Sequence, residues 1–144
     1  MFKRIFLDAN VLADLYDENR PFCRASRKTV TYLLEKEETE LFTSCDIVTT
    51  IYYIFARKDR HKALDQIIRI NQWCTAVEFG NKEISQSCRL MQENRSFKDL
   101  EDTIQYIMAR KVDADLILSN DKDFASEGIE RMTTENFCRR HHLL

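Results

Sequence analysis

Apolar residues fall in short, regularly interrupted runs along this chain, and two periods account for most of them. Arg4-Ile5-Phe6-Leu7, Glu40-Leu41-Phe42-Thr43, Cys74 to Phe79 and Asp115-Leu116-Ile117-Leu118 read as brief strands, with a weaker fifth near Ile129 to Met132. Between them apolar positions recur every three or four residues, the spacing of one helix face. Asn10 to Leu15 shows this first. From Pro21, which suits a first helical turn, a longer helix is expected with Ala25, Val30, Leu33 and Leu34 as its stripe. Ser44 reads as the N-cap of a helix carrying Ile47, Val48, Ile51, Tyr52 and Phe55. Leu64, Ile67, Ile68 and Ile70 mark the next helix, and Ile84, Cys88 and Met91 another beyond the break at Gly80. Leu100 to Val112 is a helix with Ile104, Ile107, Met108 and Val112 on its buried side, and Glu135 to His141 is the last.

Short apolar strands separated by helices imply an α/β fold whose mostly parallel sheet is covered on both faces. The 144 residues are the size of one ordinary domain, so a single domain over 1–144 is expected. Only two glycines and one proline occur, which argues against flexible linkers and turn-rich all-β architectures.

Charge narrows the partners. With 22 Lys+Arg against 24 Asp+Glu the net charge is −2, so no basic field of the whole molecule announces nucleic acid. Contact with RNA would have to come from a local patch or a bound cation. Five scattered cysteines without a C-x-x-C spacing read as reduced thiols, and zinc or disulfide frameworks are not expected. No signal-peptide pattern follows Met1, and no apolar stretch nears the ~20 residues that span a bilayer. A cytoplasmic protein without membrane contact is the expectation.

In an open parallel sheet, ligands bind beyond the carboxyl ends of the strands. Asp8 follows the first strand, Asn120 and Asp123 follow the fourth, and Asp99-Leu100-Glu101-Asp102 opens a helix. Carboxylates gathered at one edge repel unless a cation neutralises them. Oxygen-only ligands suit a hard ion, Mg²⁺ or Mn²⁺, and such an ion supports phosphodiester hydrolysis. Each residue also has a plainer reading. Asp8 can cap a helix, Asp99 and Asp102 have capping-box spacing, and Asn120, Asp121 and Asp123 can form turns.

The motifs themselves resemble the PIN-domain family of metal-dependent nucleases along nearly the whole chain. Leu7-Asp8-Ala9-Asn10-Val11-Leu12-Ala13-Asp14 looks like its "DTNVLLD" opening. Arg20-Pro21-Phe22 followed by Ser26, and Ile51-Tyr52-Tyr53-Ile54, are similar to signatures of one subgroup. Leu100-Glu101-Asp102-Thr103-Ile104-Gln105-Tyr106 resembles "FEDALQY", and Leu118-Ser119-Asn120-Asp121-Lys122-Asp123-Phe124 resembles "TRNxxDF". The resemblance implies a three-layer α/β/α sandwich with about four to five strands and Mg²⁺- or Mn²⁺-dependent cleavage of RNA. It implies Asp8, Asp102, Asp123 and Asn120 as catalytic residues, with Asp8, Asp102 and Asp123 on the metal and Asp99 and Glu101 as helpers. Many members carry a Glu in the third helix where this chain has Thr50; Asp46, one helical turn earlier on roughly the same face, could take its place on the metal directly or through water, or could serve only the helix dipole. An acid-poor site leaves an alternative open: a PIN-like module that is catalytically weak or inactive and binds RNA or a protein partner. RNA phosphates would fall to Arg57, Lys58, Arg60 and Lys62, or to Arg139 and Arg140, charge runs that also suit a solvated face or loop. PIN domains of this size resemble the toxin halves of toxin–antitoxin pairs, which implies a small antitoxin protein and a homodimer.

Two other sheet-edge aspartate enzymes fit less well. An aspartyl-nucleophile phosphatase wants a second Asp two residues after the first, where this chain has Asn10. A phospho-receiver wants paired acids at the first strand and a Lys after a late one, and neither is clear here.

Overall fold

The computed structural model describes residues 1–144. Twelve elements follow the chain: β1 (Arg4–Leu7), α1 (Ala9–Asp14), α2 (Cys23–Leu34), β2 (Glu40–Ser44), α3 (Ile47–Ala56), α4 (Arg60–Trp73), β3 (Thr75–Val77), α5 (Asn81–Glu93), α6 (Leu100–Lys111), β4 (Leu116–Leu118), β5 (Glu130–Met132) and α7 (Thr134–Arg140). The sheet has five strands in the order β3-β2-β1-β4-β5, and all four pairings are parallel.

Strand alternation divides the core in two. Ile5, Leu7, Leu41, Leu116 and Leu118 pack with Leu12, Val30, Leu33, Ile47, Ile51, Ile70 and Phe137 on one face. Phe6, Phe42, Ile117 and Val77 pack with Phe97, Ile104, Tyr106 and Met108 on the other. This is a three-layer α/β/α sandwich. The central strands are buried on both faces, which is why their sequences are unbroken apolar runs.

Two helices bury only part of the stripe their spacing predicts: Ile70 is in the core and Ile67 and Met91 pack against it. In α4 the buried residues are Ala63, Gln66 and Ile70, while Leu64 and Ile68 are exposed. In α5 the fully buried residue is Ser87, while Ile84 and Cys88 face outward. Ala63 and Ser87 are small, and the Ser87 hydroxyl is satisfied by the Glu83 carbonyl at 2.8 Å. Ser44 is the last residue of β2 and not a cap; Asp46 takes the N-cap position of α3. Leu34, expected on the buried stripe of α2, is also exposed. No helix is long and apolar enough to cross a membrane.

The chain runs from β1 to β2 on one side and returns to β4 on the other. The carboxyl ends of β1 and β4 therefore flank the switch point of the sheet, where α/β folds open their ligand crevice.

Candidate active site

Asp8 leaves β1 and is held at the switch point by its backbone N–H, which donates to the Leu118 carbonyl at 3.0 Å. Its side chain is 3% exposed. Oδ2 accepts from the Ser119 hydroxyl at 2.7 Å and from Asn10 Nδ2 at 2.7 Å. Burial pushes the Asp8 carboxyl up from its ordinary range, and the Ser119 hydrogen bond opposes that rise. Gln105 from α6 accepts the Ala9 N–H at 3.3 Å, which fixes the start of α1 beside it.

The α6 end supplies the second side of the site. Asp99 is its N-cap and accepts the Asp102 N–H at 2.9 Å, so Asp102 itself is not the cap. The Asp102 carboxyl is pushed up to about 7, first by desolvation and then by the charges of Asp8, Asp99, Asp121 and Glu101. Glu101 is raised as well, by partial burial and then by Asp46, Asp8 and Asp99. Asp46, the N-cap residue of α3, accepts a hydrogen bond from Ser44. Thr50, one turn further along α3, is half-buried and brings no charge.

The third side is the turn after β4. Asp121 accepts the Asp123 N–H at 2.9 Å, and its own N–H donates to the Ser119 hydroxyl at 3.1 Å. Arg131 Nη1 ties the turn by donating to the carbonyl of Asp121 at 3.2 Å. Asp123 is exposed and lines the same cavity of about 470 Å³ as Asp99, Asp102 and Asp121. None of the six ion pairs of the molecule touches any of these carboxylates.

The fold thus brings Asp8, Asp99, Asp102, Asp121 and Asp123 to one edge, with Asp46 and Glu101 close enough to be felt. Asn120 faces the other way. Its Nδ2 donates to Asp14 at 2.7 Å and to Ser26 at 3.1 Å, and its Oδ1 accepts from the N–H and hydroxyl of Thr134 at 2.9 and 3.0 Å. Expected among the catalytic oxygens, it has no free valence for them. Arg57, Lys58, Arg60 and Lys62 are exposed where α3 passes into α4, and they share no cavity with the carboxylates. Asp121 was legible only as a turn former. Its signal was its distance from the strand: two residues beyond Ser119, it returns toward the edge that Ser119 occupies.

Carboxylate crowding without a balancing cation is the chemistry of a divalent-ion site, and the donors are hard oxygens that fit Mg²⁺ or Mn²⁺. No three acidic, His or Cys side chains converge closely enough to enclose an ion by themselves.

The fold is a parallel α/β/α sandwich with a group of uncompensated acids at its switch point. The chain belongs to the PIN-domain family, in its VapC-like branch. The family model described as PIN domain matches residues 4–123. The chain is 41% identical over 142 residues to Ribonuclease VapC1 of Aquifex aeolicus (strain VF5), covering 99% of this chain and 98% of that one. Its fold is similar to that of VapBC2 from Rickettsia felis bound to a DNA fragment from their promoter, with a TM-score of 0.71 and 11% identity over 90% of this chain and 98% of that one. It is also similar to Mycobacterium tuberculosis VapC20, a sarcin-ricin loop cleaving toxin, with a TM-score of 0.68 and 16% identity over 87% of this chain and 95% of that one.

Proposed function

We propose that this chain is a divalent-metal-dependent ribonuclease that hydrolyses RNA phosphodiester bonds, and the toxin of a toxin–antitoxin pair. The observation that carries the reading is the group of carboxylates at the switch point, unpaired and mutually repelling, with Asp102 pushed up to about 7. The similarity to Ribonuclease VapC1 over nearly the full length of both chains supports the same activity.

Of the expected ligands Asp8, Asp102 and Asp123, one or two would hold Mg²⁺ or Mn²⁺ directly, and the others, with Asp121, Asp99, Glu101 and Asp46, would add negative potential. A bound ion of this kind offsets the carboxylate charge and stabilises charge that develops on a phosphoryl oxygen. Ser119 and Asn10 orient the Asp8 carboxylate, and both favour its ionised form. Arg57, Lys58, Arg60 and Lys62 are free of ion pairs and would contact phosphates without reading sequence. An antitoxin and a second copy of the chain are the proposed protein partners. Tyr53, Ile54, Leu64 and Ile68 on α3 and α4 are exposed apolar surface available for them. One domain over 1–144 completes the proposal, since both cores are built on the same sheet.

The charge missing at Thr50 motivates a second reading, a module that binds without cutting. One experiment separates the two. Purified protein is expected to cleave single-stranded RNA with Mg²⁺ or Mn²⁺, to stop in EDTA, and to lose activity as Asp8→Asn with its fold intact. Binding of RNA with no cleavage under any of these ions would favour the second reading, and cleavage that survives EDTA would rule out the metal.

A further inference from the structure

Asn120 stands between two residues of the acidic edge, Ser119 and Asp121, and points away from it. Its amide is saturated on both sides by Asp14, Ser26 and Thr134, and its backbone N–H donates to Asn10 Oδ1 at 3.2 Å. Those partners are deeply buried: Asp14 is 2% exposed, and Ser26 and Thr134 are 0% exposed. Ser26 also donates to Asp14 Oδ2 at 3.0 Å, and its hydroxyl meets that of Thr134 at 3.1 Å. The Asp14 charge is met by Arg20 Nε at 2.7 Å. The network joins the end of α1, the first turn of α2, the turn after β4 and the start of α7. Every side chain in it acts on that turn from behind.

Resting on the ribonuclease reading above, we propose that Asp14, Ser26, Asn120 and Thr134 are positioning residues that set where Ser119 and Asp121 stand against Asp8. Metal affinity and turnover then depend on hydroxyls and a carboxylate that touch neither ion nor RNA. A clamp that only held the fold together could be apolar, and burying polar groups costs desolvation that packing alone would avoid. What hydrogen bonds add is direction. An amide fixed on both of its edges leaves the backbone of 119–121 one placement, and a fully satisfied buried network is rigid. Misplacing a catalytic group by about 1 Å can cost ~10²-fold in rate. The two residues flanking Asn120 are the ones that bond to Asp8 and charge the cavity.

The test uses Ser26→Ala and Thr134→Val, each remote from the carboxylates, beside wild type and Asn120→Ala. Three quantities are read: Mn²⁺ affinity by calorimetry, kcat and KM on a single-stranded RNA oligonucleotide, and hydrogen exchange of the Asp121 and Asp123 amides without metal. Both remote variants are expected to fold, to lose roughly 10–100-fold in Mn²⁺ affinity and kcat with KM little changed, and to exchange those two amides faster. Lowered melting temperatures with unchanged affinity, kcat and exchange would overturn the proposal, because the network would then serve stability alone. Loss of Mn²⁺ binding in Asn120→Ala with both remote variants silent would also overturn it, placing Asn120 on the ion directly. Should wild type neither bind Mn²⁺ nor cut RNA, the ribonuclease reading fails. The amide exchange of the metal-free protein still decides whether the network positions the turn.

Discussion

Ser119 donates its hydroxyl to the Asp8 carboxylate over 2.7 Å, joining the carboxyl ends of two adjacent parallel strands. The same oxygen accepts the Asp121 N–H at 3.1 Å. One small side chain therefore connects the most buried acid of the edge to the turn that delivers another. It also opposes the effect of burial on Asp8, since a donor to a carboxylate favours the charged form.

Removing that hydroxyl is expected to move the acid limb of RNA cleavage. In Ser119→Ala the Asp8 carboxyl loses a stabilising donor, so its pKa rises further and ionisation needs a higher pH. The pH–rate profile of the variant, taken from about pH 5 to about pH 9, should show its rising limb displaced upward. An unmoved limb with a uniformly lower rate would mean that Ser119 acts on placement and not on the Asp8 charge.

Asp102 makes a stability prediction with a definite sign. Its folded pKa of about 7 lies above its ordinary 3.8, so the folded state binds the proton more tightly than the unfolded one. Metal-free stability therefore falls as pH rises from about 4 to about 7 and stays low above that. Asp102→Asn keeps the shape and removes the charge. Its melting temperature should match wild type near pH 4 and exceed it near pH 8, by about 2–4 °C for each kcal/mol relieved. The loss of a negative charge in the first turn of α6 works the other way, by about 0.3–1 kcal/mol. A variant that melts lower than wild type at both pH values would show that this dipole effect dominates.

Asp121 and Asp123 should separate in a titration. Asp121 contributes to the rise of both Asp8 and Asp102, whereas Asp123 contributes to neither. In metal-free protein, Asp121→Asn is expected to lower the Asp102 midpoint seen by carboxyl carbon NMR, and Asp123→Asn to leave it nearly in place. A larger shift from Asp123 would reverse their order in the site.

What the amino-acid pattern disclosed, and what it hid, follows from how each feature is encoded. β1 and β4 were legible because strands buried on both faces must be apolar throughout, and Asp8 was legible because it ends such a run. The inner faces of α4 and α5 were legible only in part, through Ile67, Ile70 and Met91. Their contacts use Ala63, Gln66 and Ser87, and a hydrophobic count favours Leu64, Ile68 and Ile84, which the fold leaves outside. Asp102 was readable as a site residue from its motif, but its strong displacement from the carboxylate range depends on neighbours that only the fold assembles. Asn120 and Asp121 are adjacent turn residues of similar size. Asn120 is turned by Asp14, Ser26 and Thr134, while Ser119 holds the backbone N–H of Asp121, contacts that no local pattern carries.

On the proposed reading the acidic edge takes one divalent cation. Calorimetric titration of the metal-free protein with Mn²⁺, repeated in buffers of different ionisation heat, tests it most directly. Binding to wild type should release protons near pH 6, where Asp102 is mostly protonated, and almost none near pH 8.5, where it is already ionised. Asp8→Asn should bind far more weakly at both. Failure of wild type to bind Mn²⁺, or equal binding by Asp8→Asn, would contradict a cation site at this edge.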